Sequence, residues 1–523
     1  MSSNTATATP VLQTSSRILV LIGLIIGLVF SELDETVVST AMPTIVRDLH
    51  GLAFYGWVAG IYMLAVTVCM PILGKLADLY GRKRIYLVSM GLFIIGSLIC
   101  GIAPSMMTLL IGRGIQGIGA GGLMPLALVI IGDSFPLKQR AKIQGLIGPL
   151  MILPQLVGPV VGGYFVGHLN WHWVFFINIP LGLLAAVILF FSMKESRGDK
   201  EGSRSIDWLG AGTLVGALLS LLLTPVMIDN LQLSWSSPLI IGMLVLSAVF
   251  TGLFVWVERR VAEPIMPMSL FRNRNFVVLS LLVMTVMLAL MGSFASFPYF
   301  AQHVMGLTPT TSGYLMMAAM AGAIPSSMLS SALITRVAYR KLFILFMIMP
   351  LIGLIMLMQL TPGVSLIYVV ISFFIMGVGM GILFGSDNLI IQESVDPAHS
   401  GVAVSSVQLF QSIGATIGLS VFGSLLAKNI RDGIHSMSGQ LPAGSEESIA
   451  AGTLPSGVSS SVIQHIHQVM TSSFEHLFTI GFGFAIVAYI FCWFLSPGVL
   501  GKKNADHDTP LSSDSDSSTA STS

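Results

Sequence analysis

Long apolar segments, separated by shorter polar ones, run along almost the whole chain of 523 residues. A helix needs roughly 20 mostly apolar residues to cross a bilayer. Windows of that length occur fourteen times, so the pattern predicts an all-α integral membrane protein with fourteen transmembrane helices. The windows begin near Ile18, Ala53, Ile85, Met107, Ile143, Trp173, Leu209, Leu239, Phe276, Gly313, Leu342, Leu366, Val402 and Phe474.

The first window cannot span a bilayer without including acidic residues. Its apolar run, Ile18 to Phe30, is only 13 residues long, so the helix must continue through Glu32, Asp34 and Glu35. A carboxylate inside a bilayer costs on the order of 3 kcal/mol, and such groups normally face a wet cavity and serve a function. The alternative is that these acids are solvated at the outer membrane boundary.

Composition and charge agree with a membrane protein and exclude several other classes. Hydrophobic residues make up 54% of the chain, charged residues only 9%, and the mean hydropathy is +0.86. The net charge of +1 points to no nucleic acid or other polyanionic partner. The three cysteines lie in apolar runs, and no disulfide framework, metal-ligand spacing or phosphate-binding loop is present. We therefore expect no metal, no cofactor and no catalytic residues.

The distribution of basic residues predicts the orientation. With both termini in the cytoplasm, 21 of the 25 Lys and Arg residues lie on the cytoplasmic side and three lie outside. The remaining one, Arg113, lies within the fourth window and therefore requires a partner. This bias predicts a multi-pass protein with both termini in the cytoplasm, and we expect it in the plasma membrane. The first window is followed by further spans and lacks a small-residue cleavage site, so we expect the mature chain to retain it.

The loop after the second window combines turn glycines, an acid and several bases. It runs from Gly74 through Asp78 and Gly81 to Arg82 and two further bases. Asp78 is suited to accept backbone N–H groups at a neighbouring helix start, and Arg82 to bridge a cytoplasmic seam. A purely topological role for the basic loop is the alternative. These residues suit a cytoplasmic gate formed by Gly74, Asp78, Gly81 and Arg82. Asp133, at the inner end of the fourth window, is expected to be an interfacial cap or a partner in that gate.

This loop resembles the signature of the major facilitator superfamily, and three further motifs follow the same pattern. Arg113-Gly-Ile-Gln116-Gly117 resembles the buried-arginine motif of the fourth span. Leu33 to Pro43 resembles the first-span motif of the fourteen-span drug:proton antiporters of the QacA/EmrB type. The fifth window resembles the antiporter motif, although Pro154 stands where that motif usually has glycine. The matching residues of the fifth window are Gly145, Gly158, Pro159, Gly162 and Gly163.

The resemblance covers essentially the whole chain and implies a major facilitator fold of two six-helix halves, 17–193 and 270–500. Two inserted helices and a charged linker would occupy 194–260. The ends, 1–16 and 501–523, are hydrophilic and predicted to be disordered and cytoplasmic. A long external loop is predicted at 429–473, with a short amphipathic helix from Val458 to Met470.

The same resemblance implies proton-coupled antiport by alternating access. Asp34 is then the leading proton carrier, with Glu32, Glu35, Arg113 and Asp387 as further coupling candidates. In a helix, Glu32 and Glu35 lie about 60° apart and Asp34 about 100° from Glu35, so the three acids are not expected to share one role. Asp387 lies near the cytoplasmic interface, where a structural role is an equal alternative.

The predicted function is export of hydrophobic or cationic amphipathic compounds, driven by the proton gradient, by a protein expected to be monomeric. Candidate cavity residues are Gln116, Phe294, Phe297 and Tyr299. The tenth window, Gly313 to Ile334, contains no acid, so no strong preference for divalent cations is expected. The alternatives are a dedicated exporter of one metabolite, lipid or siderophore, a non-transporting membrane sensor and, more remotely, a membrane hydrolase.

Overall fold

A computed structural model describes residues 14–50, 54–193, 207–231, 233, 235–261, 263–361, 363–435 and 460–500. These residues form helices joined by short turns, and no strand occurs among them. The first group of helices comprises α1 (Thr14–Asp48), α2 (Tyr55–Tyr80), α3 (Arg82–Gly101), α4 (Met106–Ser134), α5 (Leu137–His168), α6 (Trp173–Phe176) and α7 (Asn178–Ser192).

The remaining helices form an adjacent pair and a second group. The pair is α8 (Trp208–Leu231) and α9 (Pro238–Glu258). The second group comprises α10 (Arg274–His303), α11 (Pro309–Leu333), α12 (Tyr339–Phe346), α13 (Ile348–Met358), α14 (Leu366–Ser394), α15 (Ser400–His435) and α16 (Ser460–Trp493).

Eleven helical segments within the described residues are long and apolar enough to cross a membrane. They correspond to α2, α3, α4, α6 with α7, α9, α10, α11, α12 with α13, α14, α15 and α16. Helices α1 and α5 are not among them, and the apolar part of α8, Trp208–Thr224, is shorter. The structure therefore confirms an all-helical membrane fold, whereas the count of fourteen spans stays a prediction.

Helix packing within the two groups follows the same scheme. In the first group α1 packs on α5 and α2 on α4, while in the second group α10 packs on α15 and α11 on α14. The groups meet through α2 with α15 and through α5 with α11 and α14. Helices α8 and α9 pack on each other, and α8 also contacts α2 and α15.

Helices cover both ends of the predicted external loop, and residues 436–459 between them lie outside the described residues. Helix α15 continues to His435 and α16 begins at Ser460, so both ends of the predicted loop 429–473 are helical. Residues 460–470 belong to α16 and do not form the separate amphipathic helix that was predicted. Apolarity marks only the part of a helix that meets lipid, whereas its backbone hydrogen bonds continue into polar flanks. Of the N-terminal segment 1–16 that was predicted to be disordered, residues 14–16 belong to α1 and the rest lie outside the described residues. Residues 501–523 and most of the predicted linker also lie outside the described residues.

Candidate functional site

The predicted proton carrier and the intramembrane arginine form a buried ion pair between α1 and α4. Nη1 of Arg113 lies 2.6 Å from Oδ2 of Asp34, and both residues are only 1% exposed. The guanidinium carbon of Arg113 also lies 4.0 Å from the ring centroid of Tyr62 on α2. The arginine thus has the partner that its position in the fourth window requires.

Amide and hydroxyl groups from three helices complete the Asp34 cluster, defined as Asp34, Ser97, Arg113, Gln116 and Asn178. The second carboxylate oxygen, Oδ1 of Asp34, accepts hydrogen bonds from Nε2 of Gln116 at 2.8 Å and Nδ2 of Asn178 at 2.6 Å. Gln116 also donates to Ser97 and accepts from Arg113. Both carboxylate oxygens are therefore held by donors in a dry environment, where charge-assisted hydrogen bonds are strong.

Glu32 and Glu35 lie on a different side of α1 from the Asp34 cluster. Both side chains are partly exposed, whereas Asp34 is buried. This difference agrees with the helical angles that separated Asp34 from the other two acids. Glu35 nevertheless lies within electrostatic range of both Asp34 and Arg113.

The antiporter motif brings α5 close to α1 beside these acids. A Cβ on Gly158 would lie 2.6 Å from Cβ of Thr36, so only glycine permits this approach. The Thr36 hydroxyl donates to the carbonyl of Pro154 at 3.0 Å, so the residue that departs from the motif takes part in the same contact. A Cβ on Gly162 would also lie close to α1, in this case to its backbone. A Cβ on Gly163 would have no neighbour within 4 Å.

No contact with α1 is described for two other positions of the same motif. Gly145 faces α11, where a Cβ would lie 3.2 Å from Cβ of Ser331, and not α1. The side chain of Pro159 is outside the described part of the structure.

The segment Gly74–Arg82 was predicted as a loop, but it is helical on both sides of Gly81: Gly74 to Tyr80 form the end of α2, and Arg82 is the first residue of α3. The segment meets the start of α15, and we call the contacts between the two helix groups at this end the seam. The Asp78 carboxylate accepts the backbone N–H groups of Gly401 at 3.2 Å and Val402 at 3.0 Å. Arg82 donates to Oγ of Ser400 at 2.6 Å and pairs with both Asp78 and Asp133. Asp78 therefore binds the N-terminus of α15, and Asp133 pairs with Arg82. A gating role for these residues stays a prediction.

Glycine is required at two positions of this segment. Gly81, between α2 and α3, has a φ of 99°, which is unfavourable for any residue with a side chain. Gly74 lies against α15, where a Cβ would be 2.8 Å from the carbonyl oxygen of Gly401.

Two further ion pairs were not predicted from the sequence. Arg140 on α5 pairs with Glu393 on α14 at 3.0 Å. Lys75 pairs at 2.8 Å with Glu263, which follows the α8–α9 pair, and the Lys75 side chain is only 8% exposed. The basic members of these pairs belong to the predicted cytoplasmic charge bias, but nothing in the pattern identified their partners.

Asp387 is buried away from the Asp34 cluster. It is fully buried on α14, and its Oδ1 accepts from the backbone and side chain of the next residue, Asn388. Its other oxygen, Oδ2, has no hydrogen-bond partner within the described residues. These contacts are local to α14 and give no direct link to Arg113.

The candidate cavity residues differ in accessibility. Gln116 is fully buried in the Asp34 cluster, and Phe297 is fully buried with its ring centroid 4.7 Å from that of Phe373. Phe294 and Tyr299 are partly exposed. In this conformation only the latter two present surface that a ligand could contact.

Sequence reasoning missed Asn178 and Ser97 as members of the Asp34 cluster. Asn178 is the first residue of α7, and Pro180 follows within the first turn, where a missing N–H is tolerated. The run Asn178-Ile179-Pro180 is visible in the sequence. Only the packing of α7 on α1 shows that Asn178 contacts Asp34.

The chain is similar to several known transporters. The chain is 34% identical to the multidrug transporter protein MdtP of Bacillus subtilis (strain 168), over 94% of this chain and 95% of that protein. It is also 34% identical to multidrug resistance protein 3 of the same organism, over 89% and 92%, respectively. Multidrug resistance protein Stp of Mycobacterium tuberculosis (strain CDC 1551 / Oshkosh) is 31% identical over 79% of this chain and 76% of its own length.

Solved structures show the same fold at low sequence identity. The proton:xylose symporter XylE matches with a TM-score of 0.59 and 12% identity, over 92% of this chain and 96% of XylE. The human organic anion transporter MFSD10 matches with a TM-score of 0.55 and 13% identity, over 90% and 99%, respectively. The family model described as Major Facilitator Superfamily matches residues 24–259 and 199–419. The chain therefore belongs to the major facilitator superfamily.

Proposed function

We propose that this protein is a proton-coupled multidrug exporter of the plasma membrane. The observation that carries the proposal is the buried Asp34–Arg113 pair, because an antiporter needs a site that can hold a proton and lose it again. The named multidrug relatives support drug-like cargo. No bound cofactor is needed, since the gradient supplies the energy.

The ion pair gives a physical basis for coupling. An ionised Asp34 balances the charge of Arg113, so the two can remain buried together. When Asp34 takes up a proton, Arg113 loses its counter-charge in a dry environment, and a rearrangement that hydrates or re-pairs it becomes favourable. Proton uptake thereby changes the relative free energies of two conformations, which is what alternating access requires.

The contacts at the seam indicate which of the two conformations the structure represents. Asp78, Arg82 and Arg140 join the two helix groups at the ends predicted to be cytoplasmic. We assign this state as closed to the cytoplasm, with the cavity reached from outside. In the state that is open to the cytoplasm, the two helix groups would move apart at the seam. Helices α8 and α9 would follow this movement.

The full topology is part of the proposal. Helices α1, α5 and α8 would cross the membrane together with the eleven apolar segments, giving fourteen spans with both termini in the cytoplasm. Each half would contain six spans, with α8 and α9 inserted between them, and the protein would act as a monomer. Cargo would be hydrophobic or cationic and amphipathic, with Phe294 and Tyr299 offering apolar contact and Glu32 and Glu35 negative charge.

The test is gradient-driven transport in liposomes. Purified protein is reconstituted, a proton gradient is imposed, and ethidium flux is compared between the parent and Asp34→Asn. The matched control is Asp48→Asn, the same change in the same helix at an exposed ion pair with Arg47. We expect flux in the parent and the control and its collapse in Asp34→Asn.

Other outcomes separate the alternatives. Equal flux in Asp34→Asn and the parent would contradict the coupling role of this carboxylate. Flux of only one compound from a chemically diverse panel would indicate a dedicated exporter. Binding of ligands without any flux would indicate a sensor.

A further inference from the structure

Asn178 uses only half of its hydrogen-bonding capacity in the Asp34 cluster. Its Nδ2 donates to Oδ1 of Asp34 at 2.6 Å and lies 3.4 Å from Oγ of Ser97. Its carbonyl oxygen, Oδ1, is buried and has no hydrogen-bond partner within the described residues. A buried carbonyl without a donor costs free energy, so a second arrangement in which it is used would recover that cost.

The other amide of the cluster is fixed in one orientation. Oε1 of Gln116 accepts from Arg113 at 2.7 Å, and its Nε2 donates to both Asp34 and Ser97. Reversal would turn the Gln116 NH₂ group toward a guanidinium that can only donate. Gln116 therefore cannot serve as an acceptor for a protonated carboxyl group. Asn178 has no such restriction, because its main hydrogen bond is the one to Asp34.

We propose that Asn178 is a positioning residue whose side-chain amide reverses when Asp34 takes up a proton. In the ionised state the NH₂ group donates to Oδ1 of Asp34, as in this structure. With a proton on that oxygen, the amide would turn and its own oxygen would accept the new O–H group. Asn178 would then satisfy the carboxyl in both protonation states, an inference that rests on the proposed function.

Several other charged or titratable groups face this site and bear on its pH response. Arg113 on α4 contacts the opposite oxygen of Asp34, and Tyr62 on α2 and Cys100 on α3 interact electrostatically with the pair. Glu32 and Glu35 on α1 add negative charge. Helix α7 contributes Asn178 itself, a neutral group that can exchange a donor for an acceptor at the carboxylate.

A first experiment measures the orientation of the amide directly. Protein carrying isotope-labelled asparagine is titrated, and infrared difference spectra follow the side-chain carbonyl band of Asn178. The band is identified by its loss in Asn178→Leu, with the exposed Asn170→Leu as the matched control. We expect the band to shift to lower frequency as Asp34 is protonated and to stay fixed in Asp34→Asn. A fixed band while Asp34 titrates would overturn the proposal.

A second experiment separates proton coupling from folding. Gradient-driven flux requires Asp34 to change protonation, whereas substrate counterflow at constant pH does not. Asn178→Leu removes a hydrogen bond to a charged group, so gradient-driven flux should fall roughly tenfold to one hundredfold, with counterflow largely retained. Asn178→Asp keeps the shape and should also impair only the gradient-driven mode.

The outcomes distinguish this inference from the proposed function. A parallel loss of both transport modes in Asn178→Leu would assign the residue a merely structural role, and no loss in either would make it dispensable. Absence of gradient-driven flux in the parent would instead reject the proposed function itself.

Discussion

The Asp78 contact with α15 allows a quantitative prediction about the seam. Asp78→Asn keeps the size of the side chain but removes its charge. The carboxylate now accepts two N–H groups at the first turn of α15 and is paired with Arg82, and its side chain is 5% exposed. Because the two N–H contacts join α2 to α15, they stabilise only the state in which the seam is closed.

The magnitude follows from the change in hydrogen-bond strength. A hydrogen bond to a charged group contributes about 1.5–3 kcal/mol and a neutral one about 1 kcal/mol. Loss of a negative charge at a helix N-terminus costs a further 0.3–1 kcal/mol or so. For two hydrogen bonds and the helix N-terminus together, the closed state should thus lose about 1.3–5 kcal/mol relative to the open state, which shifts their ratio by roughly tenfold or more.

The assay is electron paramagnetic resonance distance measurement across the seam. Spin labels are attached at the exposed positions Lys138 on α5 and Arg336 after α11, with the partly accessible Cys69 replaced by serine. We expect a longer distance to become populated in Asp78→Asn. Asp396→Asn is the control, because asparagine replaces aspartate well as a helix cap at this exposed site.

An unchanged distance distribution in Asp78→Asn would refute the reasoning. It would mean that the closed state is held mainly by contacts that do not involve this carboxylate.

Three further predictions concern the ion pairs and the antiporter motif. Arg113→Met should destabilise the protein by about 3–5 kcal/mol, because it leaves Asp34 buried and unpaired; thermal unfolding in detergent measures the loss. Lys75→Met should weaken the closed seam by about 1.5–3 kcal/mol through its pair with Glu263, which the spin-label assay should detect. Gly158→Val should lower gradient-driven flux at least tenfold, because a larger side chain there overlaps α1.

Controls for these predictions come from the same helices and pairs. Adding Asp34→Leu to Arg113→Met should recover much of the lost stability, and additive losses would contradict the pairing. Adding Glu263→Gln to Lys75→Met should cause little further opening. Gly163→Val, at a position with no neighbour within 4 Å, should leave flux near the parent level, and equal loss in both glycine variants would argue against a specific α1–α5 contact.

Much of the fold and part of the site could be predicted from the sequence, because charged residues are rare inside membrane-spanning helices. Apolar windows mark helices that must satisfy their own backbone hydrogen bonds in lipid, so an all-helical membrane fold followed directly. An acid or a base inside such a window is costly, which singled out Arg113 and the three acids Glu32, Asp34 and Glu35. The resemblance to the first-span motif then favoured Asp34. Their pairing confirms that the arginine has a partner. The turn glycine Gly81 and the acid Asp78 were recognised from their spacing within one short segment, although most of that segment is helical.

Other features depended on tertiary structure. Apolarity did not show how far α15 continues beyond lipid, since polar residues can also be helical. Asn178 and Ser97 are ordinary polar residues, and their contacts with Asp34 and Gln116 span 144 and 19 positions, respectively. Lys75 likewise meets Glu263 across 188 positions.

The sequence by itself determined which charged groups must be buried and that they need partners, because the cost of charge in lipid depends on the residue type and its window. Only the tertiary structure decided which neutral groups surround Asp34, which glycines contact a second helix and which acids form contacts across the seam. Those choices depend on the rotation and separation of helices that are distant along the chain, and local periodicity does not encode them.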